Sequence, residues 1–210
     1  MLNKQKPLNI QFMVKIALLS AIAFVLTIDG IFRWRLPIFP SFLALDLSDI
    51  PALIGALTLG PVAGVWIMAM KNILDILITG TSSAGIGPLV NFLFGVSYIL
   101  PMVYIYNRLN RTAVAFAVGS VAATIFATAF AAFLNYSLVI PAFAFLFGGM
   151  ERVIGAGTAT NEGINSVATL VLYAIVPFNI LKNALISIGG FVVYKALGPA
   201  MMVLGRERKA

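Results

Sequence analysis

The sequence predicts an all-α integral membrane protein with six transmembrane helices and cytoplasmic N- and C-termini. Three observations support this prediction. Hydrophobic residues make up 61% of the 210 residues and charged residues only 10%, a balance that soluble domains of this size do not have. The apolar residues fall into six segments. Lysines and arginines concentrate in the connections that this topology places on one side of the membrane.

A single membrane domain is expected, with spans at about residues 12–32, 48–59, 61–79, 88–107, 112–146 and 166–197. The second span is too short to cross a hydrocarbon core of about 30 Å, so we expect it to be tilted or sheltered by other helices. Ser48 is a suitable N-cap for it, with Asp49 in the first turn and Pro51 close behind. Gly60-Pro61 separates it from the third span.

The connections between the spans complete the predicted topology. Residues 33–47 (RWRLPIFPSFLALDL) combine prolines, charges and aromatic side chains, and we expect an external loop that acts as a lid over an outward-facing pocket. The small-residue stretch 80–88 is expected to be a loop, and residues 148–165 are expected to form a flexible external loop.

The basic residues indicate the orientation. Those expected inside the cell are Lys4, Lys6, Lys15, Arg108, Arg111, Lys195, Arg206, Arg208 and Lys209. Only Arg33, Arg35 and Arg152 are expected outside, as the positive-inside rule requires. The net charge of +7 is therefore a topology signal, and its dispersal along short flanks argues against a nucleic-acid partner.

Several function classes are excluded by missing residues. The chain has no cysteine and no histidine, which excludes disulfides, thiolate or imidazole metal sites and catalysis by either side chain. It has no GxxxxGK[ST] motif and hence no P-loop for ATP. No catalytic residue, metal ligand or cofactor is predicted, and uptake against a gradient would need another subunit or an ion to drive it.

Lys182 lies near the middle of the apolar stretch 170–197, where a lysine costs about 2.5–3.5 kcal/mol to insert. Asn179, Lys182 and Asn183 share one helical face because of their i, i+3, i+4 spacing. The topology places Asn135 of the fifth span at a similar depth. Polar groups that converge in apolar surroundings are typical of a small-molecule site. The alternative is structural: Lys182 pairs with a buried acid and joins two helices.

Other polar residues within the spans are additional candidates for this site. Lys71 and Asp75 are spaced i, i+4 in the third span and are expected to neutralise each other. The further candidates are Asn72, Asn91 and Asn183.

Three stretches together resemble a known family: LDLSDIPALIGALTLGPVAGVWIMAMKNILD (45–75), GIGPLVNFLFG (85–95) and PFNILKN (177–183). They are similar to the riboflavin-specific S component (RibU type) of energy-coupling factor (ECF) vitamin transporters. The Ala17-xxx-Ala21 spacing of the first span, which lets another helix approach closely, matches a motif of that family. The resemblance covers nearly the whole chain.

The resemblance implies a substrate-binding subunit of the prokaryotic cell membrane, without catalysis of its own. Its energy would come from a T protein and two ABC-type ATPases, and riboflavin would be the transported ligand rather than a cofactor. The T protein would dock on the face of Ala17 and Ala21. The residues implied for flavin binding are Asn135, Asn179 and Lys182, with Ala44, Leu45 and Asp46 in the lid.

One position departs from the family pattern. In that family an acidic residue often follows the glycine pair of the second stretch, and here the position is Pro88. If the acid normally contacts the ribityl end of the ligand, this chain contacts that end with different residues, and we expect it to accept FMN as well as riboflavin.

Three other interpretations remain open from the sequence. The chain is an S component for another vitamin, a small integral-membrane enzyme that uses Lys182 and Asp75, or a purely structural membrane subunit. The enzyme lacks a visible catalytic constellation, and a structural subunit would not need Asn135, Asn179 and Lys182 at one depth.

Overall fold

A computed structural model of the chain describes residues 10–81 and 83–206, with backbone only for residues 197–206. The basic residues Lys4, Lys6, Arg208 and Lys209, on which part of the predicted orientation rests, lie outside the described residues. The described chain is almost entirely helical, with one small β-hairpin between the first and second helices.

The described residues form seven helices. They are α1 (Ile10–Val25), α2 (Asp49–Leu59), α3 (Pro61–Thr79), α4 (Ile86–Arg108), α5 (Ala113–Phe147), α6 (Met150–Thr158) and α7 (residues 167–206). Three of them contain a π-helical turn: Asp75–Thr79 in α3, Asn135–Val139 in α5 and Val171–Ile175 in α7. The hairpin pairs β1 (Arg33–Trp34) with β2 (Leu45–Asp46) in antiparallel register, so that Arg33 lies opposite Asp46.

Four helices are long and apolar enough to cross a membrane: Pro61–Thr79, Ile86–Arg108, Ala113–Phe147 and Val167–Ala196. Two others, α1 with 16 residues and α2 with 11, are apolar but shorter.

Two predicted boundaries are wrong. The first helix ends at Val25, well before residue 32: the N–H groups of Thr27 and Ile28 bond carbonyls three residues back instead of four, and a turn with Gly30 at φ +80° follows. The stretch 148–165 contains α6 rather than only a flexible loop. Its Val153 is buried in an apolar cluster with residues of α5 and α7, so tertiary packing stabilises a helix that its glycines disfavour locally.

Local signals explain the helix ends that the sequence predicted well. Gly60 adopts φ +107° between α2 and α3, and Pro61 opens α3 at a position where its missing N–H costs nothing. The Thr112 side chain accepts the Ala115 N–H to cap α5. Ser166 and Thr169 form a capping box at the start of α7.

The short helix α2 is sheltered by other helices, one of the two alternatives that the sequence left open. It packs against α1, α3, α4 and α7, and eight of its eleven residues are buried. The contact with α3 is close because Gly64 faces Ala56 and the Ala52 carbonyl. Small residues at such a contact let helix backbones approach one another and gain van der Waals energy.

Gly64→Ala is expected to lower the stability of the purified protein. A Cβ there would lie 2.6 Å from the Ala56 Cβ and 3.1 Å from the Ala52 carbonyl oxygen, and overpacking of this kind costs about 1–3 kcal/mol. Gly155→Ala is the matched control, because a Cβ at that exposed helical glycine meets nothing within 4 Å. The melting temperatures in detergent would be compared, and an unchanged value for Gly64→Ala would contradict the close contact of α2 with α3.

Candidate functional site

A cavity of about 740 Å³ lies between the hairpin region and the helices α3, α4, α5 and α7. Its wall comes from residues 29–44, Asp49 at the start of α2, the end of α3 with the loop that follows, the first turns of α4, the last turns of α5 and residues 175–183 of α7. Its volume lies within the range of sites that enclose small organic ligands, about 300–1,000 Å³.

The loop predicted to be a lid packs against the helices beside this cavity. Phe39 contacts Phe178 of α7 edge to face, with 5.3 Å between ring centroids. Phe42 contacts Phe143 of α5 in the same way at 6.3 Å. These contacts connect residues 33–47 to both α5 and α7.

Most of the predicted site residues line the cavity: Ala44, Asp75, Asn91, Asn135, Asn179, Lys182 and Asn183. The structure thus brings Asn135 of α5 together with the cluster on α7, as their predicted depth required. Leu45, Asp46, Lys71 and Asn72 do not line it. Leu45 is instead buried in an apolar cluster with Phe39 and Phe178. The role of all these residues toward a ligand stays a prediction.

The π-helical turns of α3, α5 and α7 all contribute to the cavity wall. Asp75 and Asn135 are the first residues of their turns. The Asn179 amide donates to the Ile175 carbonyl, the last of the third turn, at 2.8 Å, and the Asn135 amide donates to the Ala131 carbonyl at 2.8 Å. Such turns are frequent at functional sites because they change which side chains a helix presents.

Two amide atoms of cavity-lining residues are buried without a hydrogen-bond partner in the described structure: the Asn91 Oδ1 and the Asn183 Nδ2. An unpaired buried polar atom costs about 1–3 kcal/mol. One acceptor and one donor beside the cavity are therefore left without compensation in the described structure.

A chain of buried charges lies beside the cavity. Lys71 has no exposed surface, and its Nζ bonds the Asp49 carboxylate and the Ser48 Oγ, the latter at 2.6 Å. The second oxygen of Asp49 lies 3.2 Å from the Lys182 Nζ. The same ammonium lies 3.8 Å from Asp46, which also bonds the Ser48 N–H and hydroxyl.

The predicted pairing of Lys71 with Asp75 is wrong. Lys71 points to the start of α2, while Asp75 lies 3.9 Å from Arg33 and accepts the Thr79 hydroxyl at 2.7 Å. Packing of α2 on α3 brings the Asp49 carboxylate to the fully buried Lys71 ammonium, and a buried charge requires such a partner. Ser48 does precede α2, but its side chain does not cap the helix.

Lys182 meets both interpretations left open by the sequence. It pairs with buried acids, and it also lines the cavity with 14% of its side chain exposed. Two residues of the site were missed by sequence reasoning. Asp49 lines the cavity although it was assigned only to a helix start, and Arg33 lines it from β1. The available signal for Asp49 was an acid in the first turn of an otherwise almost wholly apolar helix.

Asp46→Asn is expected to loosen the hairpin. The substitution removes the negative charge that lies 4.0 Å from Arg33 and 3.8 Å from Lys182. Hydrogen–deuterium exchange of residues 33–46 should become about tenfold faster, which corresponds to about 1.4 kcal/mol of local stability. Asp29→Asn is the control, because Asp29 pairs with Arg35 while both are half-exposed and such pairs contribute little. Equal exchange in both variants would contradict the role of Asp46.

Comparisons with known proteins agree on one family. The family model for the substrate-specific component of ECF transporters matches residues 11–194. The riboflavin transporter RibU of Staphylococcus aureus is 33% identical over 93% of this chain and 96% of its own length. The riboflavin transporter FmnP of Bacillus subtilis is 32% identical over 91% of this chain and 94% of its own length.

A solved structure supports the same assignment. It is described as the S component of a bacterial ECF transporter, and it superposes with a TM-score of 0.72 at 32% identity. The match covers 92% of this chain and 99% of that one. The chain therefore belongs to the substrate-specific components of ECF transporters, and it is a multi-pass membrane transporter subunit rather than an enzyme.

Proposed function

We propose that the chain is the riboflavin-binding S subunit of an ECF importer. It captures riboflavin from outside the cell and delivers it through a module of one T protein and two ATPases that use ATP. The observation that carries this proposal is that Asn135, Asn179 and Lys182, from two helices, line one cavity of about 740 Å³. The relatives named as riboflavin transporters support the choice of ligand.

The chemistry of the cavity fits the two edges of a flavin ring. The pyrimidine edge carries carbonyls and one N–H, which the amides of Asn135 and Asn179 and the ammonium of Lys182 can complement. The dimethylbenzene edge is apolar, and the apolar wall includes Val139, Phe143, Ile175 and Phe178. Burial of this part of the ring supplies hydrophobic free energy, while the polar groups fix its orientation.

The ligand tail faces a balanced set of charges. Among the described residues that line the cavity, three are acidic and three are basic: Asp29, Asp49, Asp75, Arg33, Arg35 and Lys182. Each base lies within 4.0 Å of an acid. A neutral ribityl chain suits this balance, whereas the phosphate of FMN would have to compete for paired cations. Pro88, which stands where the family often has an acid, also lines the cavity. The prediction that the missing acid allows FMN to bind therefore still needs a test.

We infer six spans with both termini in the cytoplasm. Arg33 and Arg35 line the cavity, and a site that captures an external ligand opens to the outside. Arg108 and Lys195 lie on α4 and α7 beyond the cavity, where Tyr106 and Tyr194 join the two helices by a 3.0 Å hydroxyl hydrogen bond. We therefore assign both residues to the cytoplasmic side, in agreement with the positive-inside rule.

The docking face for the T protein is proposed on α1. Ala17 and Ala21 are exposed on this helix, and small exposed side chains four residues apart allow a partner helix to approach closely. The face is separate from the cavity, because no residue of α1 lines it.

Purified protein is expected to bind riboflavin and quench its fluorescence. Lys182→Ala should weaken this binding by about 1.5–3 kcal/mol, or about ten- to hundredfold, the range for a hydrogen bond to a charged group. Lys195→Ala is the matched control, since it removes an exposed lysine of the same helix.

Titration with FMN and with unrelated vitamins in the same assay separates the alternatives. Acceptance of FMN would support a changed tail site at Pro88, while loss of FMN binding equal to that of an unrelated vitamin would refute it. Failure to bind riboflavin together with tight binding of another vitamin would identify a different S component. Failure with every vitamin would favour a structural subunit.

Ala17→Leu/Ala21→Leu should abolish co-purification with the T protein and the ATPases, because the added side chains would hold the partner helix away. Riboflavin binding by the isolated subunit should remain unchanged. Ala117→Leu, the same substitution at an exposed residue of α5, is the control and should leave assembly intact. Assembly of the double variant at the level of the unmodified protein would rule out this docking face.

A further inference from the structure

Lys71 is the most completely buried charge of the cluster beside the cavity. Its side chain has 0% exposure and is not part of the cavity wall. Its ammonium bonds only groups at the start of α2 in the described structure, the Asp49 carboxylate and the Ser48 hydroxyl. A buried ion pair is weak evidence for stability in itself, so the position of this pair next to a ligand-facing lysine calls for another explanation.

Asp49 connects Lys71 to the cavity. One of its carboxylate oxygens bonds Lys71, and the other lies 3.2 Å from the Lys182 Nζ. Asp49 is itself held in the first turn of α2, where the helix N-terminus stabilises a negative charge. Lys71 and the helix therefore fix the carboxylate, and the carboxylate determines where the Lys182 ammonium lies.

Lys182 needs such a constraint if it is to recognise a ligand. Its side chain has four rotatable carbons and a compact ammonium with three donors. Asp49 occupies one donor direction, while part of the side chain remains exposed to the cavity. Fixing the side chain before the ligand arrives reduces the entropy lost on binding.

The net charge of the cluster also depends on Lys71. Lys71, Lys182 and Arg33 balance Asp46, Asp49 and Asp75, so the six groups sum to zero. Without Lys71, Lys182 would be the one cation of the described structure within 4.0 Å of Asp49, and the carboxylate would draw its ammonium away from a ligand carbonyl.

We propose that Asp49 and Lys71 are positioning residues of the ligand site, which hold the Lys182 ammonium against the ligand although Lys71 cannot touch it. This inference rests on the proposed function, in which Lys182 contacts the bound riboflavin. Asp49 and Lys71 then increase the affinity for riboflavin, in addition to any contribution that they make to the stability of the fold.

The test is a set of double-mutant cycles with Lys182→Met as the second background. Riboflavin affinity is measured by fluorescence quenching, and the melting temperature is measured without ligand. Asp49→Asn and Lys71→Met should each weaken binding by about tenfold, which is about 1.4 kcal/mol. In the Lys182→Met background neither substitution should change affinity by more than about twofold, because both act through the lysine that is absent.

A purely structural role would give a different pattern, with equal losses of affinity in both backgrounds. That outcome would overturn the proposal, as would unchanged affinity in either folded single variant. If a single variant fails to fold because it leaves one buried charge unpaired, Asp49→Asn/Lys71→Met removes both charges together and takes its place in the cycle. Its loss of affinity must likewise disappear in the Lys182→Met background.

The result also separates this inference from the proposed function. An unmodified protein that does not bind riboflavin would refute the function. Binding that depends on Lys182 but shows additive effects of Asp49 and Lys71 would refute the positioning role alone. Lys15→Met, on α1 and outside the cavity wall, is the control for removal of a lysine.

Discussion

The Asp49 carboxylate joins the parts of the structure that form the ligand site. It lies at the start of α2, bonds Lys71 of α3 and lies 3.2 Å from Lys182 of α7. Asp46 extends this network to the hairpin through Arg33. Charges in an apolar interior require partners of opposite charge. The position of each charged side chain in this network therefore restricts the position of the side chain that pairs with it. The lid region, the short second helix and the polar face of α7 are thereby held in one arrangement.

This electrostatic arrangement depends on close packing around α2. A helix of eleven residues is only about 16 Å long, about half of the hydrocarbon core, so the second span depends on the neighbours that bury α2 and hold its charged first turn at the cavity. Gly64 allows the approach of α3 that places Lys71 beside Asp49. The position of the charges is thus a consequence of small residues at a helix contact.

The candidate site was largely predictable where the signal is local. The spacing of Asn179, Lys182 and Asn183 puts them on one helical face whatever the rest of the chain does, and hydropathy with basic flanks places Asn135 at a matching depth. The prediction of ion pairs failed where a lysine had more than one acidic side chain within reach. Lys71 and Asp75 are one turn apart in the same helix, but Lys71 pairs with Asp49, 22 residues away in sequence, because the packing of α2 on α3 brings that carboxylate to its ammonium while Asp75 lies near Arg33.

The sequence by itself determined the membrane class, the four long apolar helices and the polar face of α7, since each follows from composition or from spacing within one helix. Only the tertiary structure decided that α2 is sheltered, that residues 148–165 contain a helix, and that π-helical turns present Asp75 and Asn135 to one cavity. It also decided which acid neutralises which base. These outcomes depend on distances between segments far apart along the chain, and no local pattern specifies such distances.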